Sequence, residues 1–207
     1  MGLGRIGRNL FRLLYAREDI RIAGVSELAK PEGLEYLLRF DTLLGRFPDE
    51  LSIRDGHVHV TGRRIPLIIG TPDAQVRWGD LGVETVLEAT SKCRSRRELE
   101  AHLQAGAKRV IACAPPREAP DITIVMGVNE EKLQARHRIV SNASSTVHCI
   151  APTAKVLQDA FGIERAMLTT VHSYTSQHRL ADVPRTCAEA APRRKTSFPR
   201  SRARRRS

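Results

Sequence analysis

The chain has 207 residues, enough to bury a substantial core, and a formal charge of +11. No stretch approaches the ~18 uninterrupted apolar residues of a membrane span, and Met1-Gly2-Leu3-Gly4-Arg5 lacks the apolar run and cleavage site of a secretion signal. Cys93, Cys113, Cys149 and Cys187 have neither paired nor metal-like spacing, so they imply no disulfide framework or metal site and a reducing, cytoplasmic setting is expected.

Ile6, Leu10, Phe11, Leu13 and Leu14 recur at helical spacing and predict a helix over residues 5–17. A short strand follows from Ile20 to Val25, ending at Ser26-Glu27, and then a helix from Leu34 to Arg39. Gly56 and Gly62 punctuate a hairpin through Val58-His59-Val60 and Ile65 to Ile69. Thr85 to Glu88, Arg109 to Ala112 and Thr123 to Val128 are short apolar runs suited to buried parallel strands, the first two separated by a polar helix from Arg96 to Ala105. Ile139-Val140 begins another strand, residues 145–161 a helix, and Arg165 to Thr175 a last strand rich in Thr, Val and Tyr. Strands alternating with helices predict an α/β fold. Beyond Pro184 no periodicity survives. From Arg185 onward nine basic residues stand against one acid, Glu189, so a nearly balanced body carries a basic tail that is expected to be disordered.

Gly2-Leu3-Gly4-Arg5-Ile6-Gly7 fits G-x-G-x-x-G at the start of a helix, a pattern that brings backbone close to a pyrophosphate held at the helix N-terminus. Glu27, at a strand end, stands where an acidic group meets adenosine ribose hydroxyls, and its charge disfavours a 2′-phosphate, so NAD is expected rather than NADP. The motif normally follows a strand, which would lie upstream of Met1.

The run Gly4-Arg5-Ile6-Gly7-Arg8-Asn9-Leu10-Phe11-Arg12, the segment Ser141-Asn142-Ala143-Ser144-Ser145-Thr146-Val147-His148-Cys149-Ile150-Ala151-Pro152 and the later Thr169-Thr170-Val171-His172-Ser173-Tyr174-Thr175 together resemble the glyceraldehyde-3-phosphate dehydrogenase family over roughly residues 2–184. The family signatures are S-N-A-S-C-T-T-N-C-L-A-P and T-T-V-H-x-Y-T. The resemblance implies a Rossmann-type doubly wound sheet, here without its first and central strand, followed by the start of an α+β catalytic domain. It divides the chain into an NAD-binding domain (1–143), a catalytic-domain fragment (144–184) and the basic tail (185–207). Loss of the central strand would expose apolar surface and leave two strand edges unpaired.

By the same resemblance, Gly4, Arg5, Ile6, Glu27, Thr90, Ser91 and Cys113 border NAD, with Ser91 replacing a glycine of the family's E-S-T-G. Ser145 takes the position of the cysteine that attacks the aldehyde, and His172 that of its base. Ser144, Thr146 and Thr175 match contacts to substrate phosphate. Cysteine suits this reaction because its thiol ionises near neutrality and a thioester can acylate phosphate; Ser145 supplies neither property. Cys149, one helical turn further on, is read as a packed structural thiol rather than a substitute nucleophile. The expected function is NAD-dependent oxidation of a small phosphorylated aldehyde with inorganic phosphate, lost or nearly lost in this chain. Alternatives are erythrose-4-phosphate oxidation and nonspecific nucleic-acid contact through the tail. The family's tetramer interface is expected to be largely absent.

The tail has a specific reading. The family continues after this point with a sequence like D-L-R-R-G-R-A-A-A-E-N-V-V-P, and one nucleotide string encodes that segment in one phase and Thr186 to Pro199 in the next. A frameshift near Pro184 is the expectation.

Overall fold

The computed structural model describes residues 2–27, 33–69, 76–90 and 92–172. Gly4 caps α1 (Arg5–Tyr15), whose buried side is formed by Gly7, Arg8 and Phe11. The Phe11 ring packs against Tyr15 and Phe47. Ile6 and Leu13 share the helical period but are 50% and 67% exposed, because α1 covers only part of the neighbouring sheet. The helix stops two residues before the expected end, at Tyr15.

Four strands form the first sheet, in the order β1 (Val25–Glu27), β6 (Arg63–Ile69), β5 (His57–Val60) and β4 (Leu51–Arg54). β1 runs parallel to β6, with Val25 opposite Leu67; the other pairs are antiparallel. Both hairpins close through two-residue turns, Asp55-Gly56 and Thr61-Gly62, in which every residue has positive φ. That geometry matches the twist of antiparallel strands and explains why Gly56 and Gly62 punctuate the hairpins. Val58, Val60, Ile65 and Leu67 alternate into the core, under α1 and α2 (Leu34–Arg39). The expected strand from Ile20 to Val25 is shifted: residues 20–24 pair with nothing, and pairing begins at Val25. A small two-stranded sheet, β2 (Phe40–Asp41) with β3 (Gly45–Arg46), follows α2.

The second sheet is wholly parallel, in the order β7 (Thr85–Glu88), β8 (Arg109–Ala112), β10 (Ile139–Ser141), β9 (Ile122–Thr123). The crossover α3 (Arg96–Gln104) starts with a full capping box, Ser95 with Glu98, and buries Leu99 and His102 against Val86, Val110 and Ile139. β9 ends at Thr123, short of the expected Val128, because Asn129 folds the chain back: its side chain accepts from the Val125 amide and donates to the Thr123 carbonyl. β1 and β7 are each the edge strand of their sheet, and residues from both line a cavity of about 710 Å³.

Asp121 joins the sheet to α3. It accepts from the amides of Arg138 and Ile139 and from the Arg96 guanidinium. Burial alone would raise this carboxyl, but the Ile139 amide, Arg96 and the Arg138 amide outweigh it and hold it below the ordinary carboxylate range. A lowered folded value gives stability that is complete above the unfolded value and is lost as pH falls through the folded one. Asp121→Asn is therefore expected to cost about 1.5 kcal/mol near neutrality, the low end for a charged acceptor since the side chain is partly exposed. It should also flatten the acid limb of a stability–pH curve; an unchanged limb would count against this assignment.

After β10, Ser144 caps α4 (Ser145–Phe161), its hydroxyl accepting from the Val147 amide. α4 buries none of its side chains. The expected strand from Arg165 does not form within the described residues: 165–172 are irregular and exposed, since a strand is stable only beside a partner and no described strand pairs with this segment. The rest of that expected strand, and the tail, lie outside the described residues. Among the described residues no helix is long and apolar enough to cross a membrane.

Candidate functional site

The C-terminal ends of β1 and β7 meet the loop that enters α1, the kind of location at which open parallel sheets bind ligands. The loop entering α1 is built by close backbone contact. Gly2 (φ 77°) donates its amide to Ser26 at the end of β1, and a Cβ on Gly7 would lie 1.7 Å from the Gly2 carbonyl oxygen. Gly7→Ala is thus expected to abolish the loop conformation and, with it, dinucleotide binding measured by calorimetry; retained affinity would contradict the geometry. Arg8 is 2% exposed and braces the loop from below, donating to the Leu3 carbonyl and facing Asp41 at 3.7 Å. Burial pushes the Asp41 carboxyl upward, but the amides of Leu44 and Leu43 and the Arg8 charge more than compensate, so it stays ionised well into acid.

The residues present fit a bound dinucleotide. The first turn of α1 has no side-chain cap and no acidic residue, so its amides face outward, and the space in front of Gly4 is open to 4 Å. Glu27 ends β1 beside this loop, its carboxylate accepting from the Leu3 amide. Thr90 completes the cluster. Its methyl group lies 2.6 Å from where a Gly2 Cβ would be, so the two backbones meet only because residue 2 is glycine. Gly4, Arg5, Ile6, Glu27 and Thr90 are thereby gathered at one end of the sheets. Cys113 follows β8, with its amide on the Glu88 carbonyl, and its thiol is pushed up by burial and, to a lesser degree, by Glu88. Ser91 lies outside the described residues.

A network not foreseen from the sequence holds Thr90 in place. Trp78 Nε1 donates to His102 Nδ1 at 3.1 Å, which leaves the proton on Nε2 to face Glu88 at 3.2 Å. Glu88 in turn accepts from the amide and the hydroxyl of Thr90. Glu88 and His102 are buried to within 1%. Glu88, Cys93 and His102 place ligand-type atoms within 4.8 Å of one another, but both imidazole nitrogens are already engaged by Trp78 and Glu88, so the cluster is structural rather than a metal centre. The only signal in the sequence was a lone histidine on the apolar side of a polar helix.

Among the described residues, the positions expected to be catalytic are not brought together. Ser145 is the first residue of α4, exposed, with Ser144 and Thr146 half-buried on either side. Cys149 is exposed, one turn along, rather than packed as expected. His148 turns back to the Asn142 carbonyl at 2.8 Å. His172 lies exposed in the irregular segment past α4, and no hydrogen bond joins it to Ser145. Thr175 lies outside the described residues.

A glycine-rich loop entering a helix beside the C-terminal ends of parallel strands defines a dinucleotide-binding α/β protein. Residues 1–96 match the family model described as the NAD binding domain of glyceraldehyde 3-phosphate dehydrogenase, and residues 144–197 match the model of that enzyme's C-terminal domain. The glyceraldehyde-3-phosphate dehydrogenases of Geobacillus stearothermophilus and Thermotoga maritima and glyceraldehyde-3-phosphate dehydrogenase 1 of Bacillus subtilis are 44%, 42% and 45% identical to it, each over 88% of this chain and 55% of the relative. The chain belongs to the glyceraldehyde-3-phosphate dehydrogenase family. It spans about half the length of the curated relatives it matches.

Proposed function

We propose that this chain is a glyceraldehyde-3-phosphate dehydrogenase homologue that keeps a dinucleotide site and has lost efficient aldehyde oxidation. In this reading residues 1–143 form the NAD-binding domain, 144–184 a catalytic-domain segment and 185–207 a basic tail, in a cytoplasmic protein. NAD supplies hydride acceptance when bound. The amides at the start of α1 hold its pyrophosphate, Glu27 faces the ribose, and Thr90, Ser91 and Cys113 border the remainder. Ser144, Thr146 and Thr175 would face phosphate groups of the aldehyde substrate or of inorganic phosphate.

The observation that carries the loss of activity is Ser145, an exposed hydroxyl with no hydrogen bond to His172. An alcohol needs a positioned base to attack a carbonyl, and serine hydrolases add an orienting acid and an oxyanion hole. The purified chain, given NAD, phosphate and glyceraldehyde-3-phosphate, is expected to bind NAD in calorimetry while forming no measurable NADH. Turnover at an ordinary rate would overturn the proposal. Sequencing the gene across Pro184 tests the frameshift separately: no family-like continuation in another phase would refute it. The nine basic residues after Pro184 favour a second, weaker reading, salt-sensitive contact with nucleic acid, which deletion of residues 185–207 should abolish without affecting NAD.

A further inference from the structure

Arg8 and Arg12 stand four residues apart on one face of α1, and both reach the turn between β2 and β3. The Arg8 guanidinium donates through Nη1 to the Leu3 carbonyl at 3.1 Å, and its Nη2 faces the Asp41 carboxylate at 3.7 Å. Arg12 donates to the carbonyls of Leu38 and Gly45 at 2.9 and 3.0 Å and lies over the Phe47 ring. Asp41 is itself built into the turn, its Oδ1 accepting from the amides of Leu43 and Leu44 at 2.9 and 3.0 Å.

Burial decides what this arrangement does. The side chains of Arg8 and Asp41 are 2% and 5% exposed. A guanidinium so enclosed needs a counter-charge, and Asp41 supplies one whose orientation is set by two backbone amides. The cations that face Asp41 are Arg8 and Arg12, both from α1. Because the guanidinium is planar and rigid, its Nη2 cannot follow a displaced carboxylate without moving Nη1 beneath Leu3. Leu3 lies in the loop that leads into α1, so the position of the loop is tied to that of a carboxylate on a separate turn.

We propose that Asp41 is a positioning residue for the dinucleotide site: through Arg8 it fixes the Leu3 carbonyl, and with it the 2–7 loop that presents the α1 amides to a pyrophosphate. The effect on ligand affinity rests on the dinucleotide reading given above, whereas the effect on the loop rests on the geometry alone.

Asp41→Asn removes the charge but keeps an Oδ1 that can accept from Leu43 and Leu44, so the turn itself should persist. In the ligand-free variant, hydrogen exchange at the Gly2 and Leu3 amides, which are bonded to Ser26 and Glu27, should quicken at least roughly threefold. NAD affinity measured by calorimetry should fall about tenfold, mid-range for a residue that acts through another. Val58→Ala, a truncation in the same core, should lower the melting temperature and spare NAD affinity. Since Asp41 acts through Arg8, adding Asp41→Asn to Arg8→Met should change neither exchange nor affinity further. That pair of variants carries no guanidinium at position 8, so it tests the coupling even where Asp41→Asn alone does not fold. Parental exchange and affinity in Asp41→Asn overturn the proposal, and so does an additional loss on the Arg8→Met background. A parent chain that binds no NAD refutes the dinucleotide reading instead, and the exchange rates then uphold or overturn the role of Asp41 by themselves.

Discussion

Ser145→Cys is expected to create a fast-reacting thiol without restoring NADH formation. The new sulfur would sit at the first turn of α4, where unpaired amides favour a thiolate, so alkylation should quicken at least roughly tenfold relative to the Cys149 thiol. Catalysis needs more than a nucleophile. A positioned general base contributes about 10²–10⁴ in rate, and His172 is exposed beyond the far end of α4 with no bond to residue 145. The measurement is twofold: iodoacetamide kinetics on a Cys149→Ser background, and NADH absorbance with aldehyde, phosphate and NAD. Recovery of turnover by this single change would show that the hydroxyl alone limits the reaction, and that His172 reaches the site in solution.

His102→Leu is expected to damage both stability and dinucleotide affinity. The leucine fills the space but leaves Glu88 Oε2 and the Trp78 N–H buried without their His102 partner. Breaking a buried pair from one side costs about 3–5 kcal/mol, which for a chain of this size lowers the melting temperature by roughly 6–20 °C. The loss should reach the cofactor site because Glu88 holds the Thr90 amide and hydroxyl, and Thr90 packs against Gly2. Val110→Ala, an apolar truncation in the same cluster, provides the comparison: it should lower the melting temperature and spare NAD affinity. Equal affinity in both variants would mean that the network supports the fold without positioning the loop.

Most of the architecture was legible because the relevant signals are local. The Asp55-Gly56 turn, the alternation in Val58 and Val60, the apolar run from Thr85 to Glu88 and the glycine motif before α1 each encode a conformation within a few residues. α2, β7, β8 and α4 accordingly have the bounds read from the sequence. Elements that depend on a distant partner were less well read. Residues 20–24 and 165–172 have strand composition but pair with no strand among the described residues, so composition alone misplaced them. Ile6 and Leu13 fit the helical period, but which positions are covered depends on where α1 crosses its sheet.

The candidate site divides in the same way. The sequence by itself supplied the family resemblance, the glycine-rich run before α1 and the acidic residue closing β1, and it set up the expectation that Ser145 takes the nucleophile's place, since each is a matter of residue identity at a known spacing. Only the tertiary structure decided that Trp78, His102, Glu88 and Thr90 form one buried chain of hydrogen bonds, that Cys149 is exposed, and that Ser145 and His172 do not meet. The physical reason is that burial and hydrogen bonding are properties of pairs brought together by folding, and sequence spacing does not determine the distance between them.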